Sequence, residues 1–260
     1  MAIIIHPANA RQAMRRGALT QECGILRGMN PAILSTALGG LFPPGAVAAE
    51  LRGQGDPLLL LSAEAMYVGR AVPKRVREFA AGRLCARRAL AEFGFVDYPV
   101  KVAEDRQPLW PDGMVGSITH TTGFCAAVVA RRPAATALGL DSEVVGSVNA
   151  EIWHKICVPL ESEWVDSLPA PERAAAVAMI FSTKEAFYKC QYPAVRQPLD
   201  FHDARVEAPA WGAPGAAFKI HAMRSLAIAE YATLPLQGRY LFHEGFVTAG
   251  LGLAAALSPQ

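Results

Sequence analysis

The chain has 260 residues, 25 lysines and arginines against 23 acids, and about half of its residues hydrophobic, enough for one large domain or two small ones with a sizeable core. A net charge of only +2 argues against a general nucleic-acid binder, and no apolar run is long enough to cross a bilayer as a helix. MAIIIHPANA does not read as a signal peptide, and Cys23, Cys85, Cys125, Cys157 and Cys190 form no CxxC pair, so a cytoplasmic protein with reduced thiols is expected.

Residues 1–30 show no regular pattern, and 31–56, rich in Pro, Gly and small residues, predict loop with one short helix or strand. The run at 57–61 reads as a buried strand followed by a polar turn. From Pro73 the apolar spacing of Val76, Phe79, Ala80, Leu84, Ala86, Leu90 and Phe93 predicts a helix that Gly94 stops. YPVKVAED at 98–105 predicts a strand, and RQPLWPDG a turn-rich loop. MVGSITHTTGFCAAVVARR predicts a short strand, a polar turn with a helix start, and an apolar strand at 124–130. ATALGLDSEVV resumes as a strand. Helical spacing covers 148–168 and Pro171 to Gln191, and 200–257 is β-rich. The order of elements predicts two α+β halves meeting near 131–136.

Four segments carry chemistry. In GLDSE (139–143) an extended backbone puts Asp141 and Glu143 on one face, where two carboxylates repel unless a cation or proton lies between them. Oxygen ligands of this kind suit Mg²⁺. In FSTKEAFYK (181–189) a helix places Glu185 and Lys189 one turn apart, with Lys184 beside them. GSITHTTG (116–123) surrounds His120 with hydroxyls, and Thr119 and His120 could meet phosphate oxygens. The helix KRVREFAAGRLCARR lies in a stretch of seven basic residues from Arg70 to Arg88 against one acid, Glu78. Its Arg75 and Arg83, eight apart, could reach one phosphate. Taken singly, each segment also fits a plain structural reading: solvated acids, an exposed Lys–Glu ladder, a capped turn, a basic surface.

In this order and spacing, RVREFAAGR, RQPLWPDGMVGSITHT, GLDSE and FSTKEAFYK resemble the Sfp-type 4′-phosphopantetheinyl transferases, the group that includes the enterobactin-synthase D component. The resemblance is dense over 73–191. It implies an α+β fold of two pseudo-symmetric halves, 1–134 and 135–260, with the active site in the cleft between them. It implies transfer of 4′-phosphopantetheine from coenzyme A to a serine of an apo acyl- or peptidyl-carrier protein, releasing 3′,5′-ADP. Asp141, Glu143 and Glu185 are expected to hold Mg²⁺ (or Mn²⁺). Arg75 and Arg83 should meet the 3′-phosphate of CoA, and Arg106, Thr119, His120, Lys184 and Lys189 other parts of the cofactor. Glu185, Lys189 and Asp141 are the expected catalytic groups. The carrier protein is the expected partner, with neither nucleic acid nor membrane, and the two halves in one chain imply a monomer. Phe181 stands where the family commonly has tryptophan, and Thr119 where it has serine. Ser142 replaces an aliphatic residue, which weakens packing slightly if it faces the core. A Mg²⁺-dependent nucleotide-diphosphate hydrolase and a non-catalytic CoA- or carrier-binding module are the alternatives.

Overall fold

The structure, a computed structural model, describes residues 32–132, 134–227 and 236–253. Among these, β1 (Ile33–Leu34), α1 (Thr36–Gly39) and β2 (Val47–Arg52) lead into α2 (Ser62–Ala65) and the long α3 (Pro73–Ala91). After the two-residue strands β3 (Lys101–Val102) and β4 (Pro108–Leu109) comes a hairpin, β5 (Met114–Thr121) and β6 (Phe124–Arg131). The chain then makes β7 (Ala137–Val144), α4 (Trp153–Ile156), α5 (Pro159–Ser167) and the long α6 (Ala170–Val195). It closes with β8 (Ala204–Glu207), β9 (Ala217–Ala222) and a second hairpin, β10 (Leu236–His243) and β11 (Phe246–Leu253).

Two antiparallel sheets result, ordered β1-β2-β6-β5 and β7-β11-β10-β9-β8. Helix α3 packs Leu84, Cys85, Ala89 and Leu90 against Ala49, Leu51, Ala127 and Val129 of the first sheet. Helix α6 packs Val177, Ile180, Phe187 and Cys190 against Val247, Ala249 and Leu251 of the second. A third cluster, including Leu38, Leu41, Val128, Leu138 and Leu140, joins the two halves. Each fully buried side chain of this size contributes about 1.5–3 kcal/mol.

The second half repeats the first. In each, one strand (β2 or β7) precedes a short helix and a long helix, and then pairs with the second strand of a two-residue-turn hairpin. A buried glutamate marks the repeat. Glu64 accepts from the backbone N–H groups of Leu61 and Val100 and from the Arg87 guanidinium on α3. Glu161 accepts from those of Val158 and Val206 and from Lys184 Nζ on α6. In both halves the glutamate closes the first turn of the short helix and is 23 residues from its basic partner.

Several local expectations are corrected. Residues 57–61 are not a buried strand: Asp56 accepts from Leu58 N and opens a 3-10 turn over Pro57–Leu59, leaving Leu58 exposed. Residues 31–56, expected as loop with one short helix or strand, hold three elements, β1, α1 and β2. The strand expected at 98–105 shrinks to Lys101–Val102. No helix starts in THTTG, because β5 runs through Thr121 and Gly123, with φ +80°, completes the tight turn. Helical pattern over 148–168 is split by Cys157, Val158 and Pro159 into α4 and α5.

Candidate active site

Strands β5 and β7 are the facing edges of the two sheets, and side-chain hydroxyls stitch them together. Ser117 Oγ accepts from Leu140 N at 3.1 Å, and Thr119 Oγ1 accepts from Ser142 N at 3.1 Å. Thr119 Oγ1 in turn donates to Asp141 Oδ1 at 3.1 Å. Gly139 permits the closest approach of α6: a Cβ there would stand 1.9 Å from the Ala186 carbonyl oxygen. This approach brings α6 alongside the acidic end of β7.

Asp141 is buried. Its Oδ1 lies 2.6 Å from Lys189 Nζ, while its buried Oδ2 has no hydrogen-bond partner among the described residues. A buried carboxyl oxygen left without a donor is costly and is the atom a cation would satisfy. Burial, and then the Asp141 carboxylate, push Glu143 up to about 7. The same two causes raise Glu185. Burial works against the Lys189 ammonium, but Asp141, Glu185 and Glu143 outweigh it, so its pKa is raised and it stays charged. Three mutually repelling carboxylates of oxygen-only chemistry fit a hard divalent cation. Among the described residues no three acid, histidine or cysteine side chains already form a metal cage.

Among the described residues the repeat carries this cluster in the second half only. Counted from the hairpin turns, Phe124 and Phe246 are equivalent, so Ala49 and Leu51 on β2 stand where β7 has Asp141 and Glu143. The first half lacks the acids and keeps only the frame.

Beside the acids lies a cleft of about 840 Å³. Arg75, Arg83, Arg106, Thr119, His120 and Lys189, all expected ligand contacts, line it. Arg75 donates to His120 Nε2 at 2.8 Å, which leaves the ring's proton on Nδ1 in the neutral form. Burial and Arg75 lower the His120 pKa, so the ring is neutral near pH 7. Arg83 is buried: its Nε donates to Val100 O at 2.7 Å and its guanidinium stacks 4.1 Å over the Phe79 ring. Burial pulls its pKa to about 10, still charged at neutral pH.

Lys184 is placed elsewhere. Its Nζ donates to Ile156 O at 2.8 Å, Glu161 Oε2 at 2.7 Å and Phe201 O at 2.8 Å, which uses its three protons inside the second half. It is a structural cation and not a phosphate contact. Ser142 likewise departs from the expected loss of packing. It is fully buried and shares a 2.8 Å hydrogen bond with Thr248, which His243 Nε2 meets at 2.7 Å. Sequence reading missed Arg132, Tyr188, Tyr192 and Arg196 in the cleft wall. The i, i+4, i+8 spacing of Tyr188, Tyr192 and Arg196 from the recognised helix was the available signal.

A cleft lined by arginines, with a buried carboxylate behind its Thr119 and Lys189, has the chemistry of an anion site next to a cation site. Comparison with known proteins gives the family. The description "4′-phosphopantetheinyl transferase N-terminal domain" matches residues 63–130, and "4′-phosphopantetheinyl transferase superfamily" matches 137–240. The chain is 42% identical to the 4′-phosphopantetheinyl transferase Svp of Streptomyces mobaraensis over 155 residues, covering 58% of this chain and 62% of Svp. It is 32% identical to the 4′-phosphopantetheinyl transferase Npt of Nocardia iowensis over 166 residues, 64% of this chain and 74% of Npt. It is 36% identical to enterobactin synthase component D of Escherichia coli K12 over 129 residues, 49% of this chain and 58% of that protein. The chain belongs to the 4′-phosphopantetheinyl transferase superfamily. The matched stretch spans about three-fifths of Svp and of component D. No helix among the described residues is long and apolar enough to cross a membrane.

Proposed function

We propose that this protein transfers 4′-phosphopantetheine from coenzyme A to a serine of an apo acyl- or peptidyl-carrier protein. The observation that carries the reading is the buried, donor-less Oδ2 of Asp141 within a carboxylate cluster at the edge of an arginine-lined cleft. The first half (1–134) supplies the CoA side through Arg75, Arg83, Arg106, Thr119 and His120. The second half (135–260) supplies the metal side and faces the carrier. Both walls come from one chain, which supports action as a monomer. Free, buried Cys85, Cys125, Cys157 and Cys190 agree with a reducing, cytoplasmic setting.

In this reading Asp141, Glu143 and Glu185 hold Mg²⁺, which when bound neutralises the pyrophosphate and offsets charge at phosphorus. The serine hydroxyl of the carrier attacks the β-phosphorus of CoA. The bond from that phosphorus to the bridging oxygen breaks, and 3′,5′-ADP leaves with the bonding pair. Glu185, raised by burial and Asp141, takes the hydroxyl proton. Lys189 stays charged and stabilises the leaving phosphate. Arg75 and Arg83 hold the 3′-phosphate, and Thr119 and His120 hold neighbouring oxygens.

The test is the intact mass of an apo carrier protein incubated with this protein, CoA and Mg²⁺. A gain of one phosphopantetheine that EDTA removes is the expected result. Cleavage of CoA without a carrier would replace the reading with a hydrolase. CoA binding without modification of any carrier type would replace it with a binding module.

A further inference from the structure

The loop between β3 and β4 carries Asp105, Arg106 and Gln107 into one wall of the cleft, and the residue that ends α6, Arg196, lies in its lining too. Asp105 ties these parts together. Its Oδ1 accepts from Gln107 N at 3.2 Å, and its Oδ2 accepts from Gln107 Nε2 at 2.9 Å and from the Arg196 guanidinium. The ion pair joins residues 91 positions apart, one from each half.

Both arginines have left-handed backbones. Arg106 has φ +69°, with its N–H on Ala103 O at 2.9 Å and Ala103 N on Gln107 O at 2.8 Å. Arg196 has φ +55°, and its guanidinium sits 5.8 Å from the Tyr192 ring. A residue bearing a side chain adopts this region only when its surroundings hold it there. At Arg106 the hold is the turn that Asp105 braces. Among the described residues, the Arg106 guanidinium has no ion-pair or hydrogen-bond partner, so its charge is left for whatever enters the cleft.

We propose that Asp105 and Arg196 are a positioning pair: they bridge the two halves at the cleft and fix Arg106 with its charge available to the phosphates of CoA. The inference rests on the reading of the cleft as a CoA site. Exposed ion pairs contribute little to stability, so the pair acts on geometry. An acid in a cleft for a polyanion has two opposed effects. By charge alone it repels the ligand, and its removal would tighten binding. By position it aligns Arg106, and its removal would weaken binding. The sign of the change therefore separates a positioning role from a bystander acid.

The experiment measures CoA affinity by calorimetry for the intact protein and for Asp105→Asn, Arg196→Gln and the swap Asp105→Arg/Arg196→Asp, with Arg106→Ala as reference. KM and kcat are measured for each on the carrier protein. Both single variants are expected to weaken CoA by about fivefold, the scale of an exposed ion pair. KM for CoA should rise more than kcat falls, melting temperature should stay near that of the parent, and the swap should recover most of the loss. Tighter or unchanged binding in Asp105→Asn overturns the proposal. Weakening in Arg196→Gln alone also overturns it, since that guanidinium would then touch the ligand itself. Parent protein that binds CoA but modifies no carrier would fail the proposed function while the affinities still judge the pair. Parent protein that does not bind CoA would overturn both.

Discussion

Lys184 Nζ lies 2.7 Å from Glu161 Oε2, in the place that Arg87 holds against Glu64 in the first half. The lysine of the KE motif is therefore part of the frame, while its neighbour Glu185 feels the charges of Asp141 and Lys189. Replacing Lys184 with Met keeps the volume but strips the buried Glu161 of its cation partner. The expected cost is about 3–5 kcal/mol, read as a drop in the urea midpoint. KM for CoA should change little in whatever protein remains folded. A variant of parental stability with a large rise in KM would return Lys184 to the phosphates.

The carboxylate cluster predicts a pH-dependent metal response. Glu143 is raised from 4.5 to about 7, so in the metal-free protein its neutral form is favoured by folding. The folded state then binds more protons than the unfolded state between these values, and stability falls as pH rises from about 4.5 to about 7. Above about 7 the penalty is fully present. A divalent cation removes it by pairing with the ionised form. Addition of Mg²⁺ should raise the melting temperature more at pH 8 than at pH 6, and Glu143→Gln should flatten the difference. Equal shifts at both pH values would remove Glu143 from the metal site.

Much of this was legible in the chain because the signals were local. Alternation along β7 put Asp141 and Glu143 on one face, and Pro73 and Gly94 bracketed α3. Arg75, Arg83, Arg106, Thr119, His120 and Lys189 all line one cleft. What failed depended on partners distant in sequence. Lys184 read as a phosphate contact because Glu161, Ile156 and Phe201 are invisible from FSTKEAFYK. Ser142 read as a packing defect because Thr248 lies 106 residues away. The strand β2 hid in a Gly- and Pro-rich stretch because only its pairing with β6 gives Ala48, Ala49 and Leu51 a buried setting. The two similar halves were implied by the resemblance and not by any visible sequence repeat, because their shared marker, a glutamate 23 residues before a basic residue, sits in otherwise dissimilar sequence.

Gly139 sets how near α6 comes to β7. A methyl group there meets the Ala186 carbonyl oxygen at 1.9 Å and the Cys190 Cβ at 2.8 Å. Backbone cannot swing aside as a side chain can, so helix and strand must separate, two residues from Asp141. Gly139→Ala should cost about 3 kcal/mol or more, the upper end for overpacking, and lose Mg²⁺ response with it. Gly69→Ala, where a Cβ meets nothing within 4 Å, is the control and should stay within about 0.5 kcal/mol of the parent. A Gly139→Ala protein of parental stability would show that the close approach is not needed.

Arg75 and Arg83, proposed to share the 3′-phosphate, are set differently in the cleft wall. Among the described residues Arg75 is exposed and engaged only with His120 and, at 3.6 Å, Glu78, whereas Arg83 is buried between Val100 O and Phe79. Arg75→Ala should therefore fold normally and weaken CoA by about tenfold to a hundredfold, the range of a charge-assisted hydrogen bond. The discriminating ligand is 3′-dephospho-CoA, which lacks the phosphate assigned to this pair. Its affinity should be nearly the same for the parent and for Arg75→Ala, so the two ligands converge in the variant. Arg83→Met should lose stability as well as CoA affinity, because Val100 O then loses a buried donor. If Arg75→Ala weakened both ligands equally, the guanidinium would belong to the pyrophosphate and not to the 3′-phosphate.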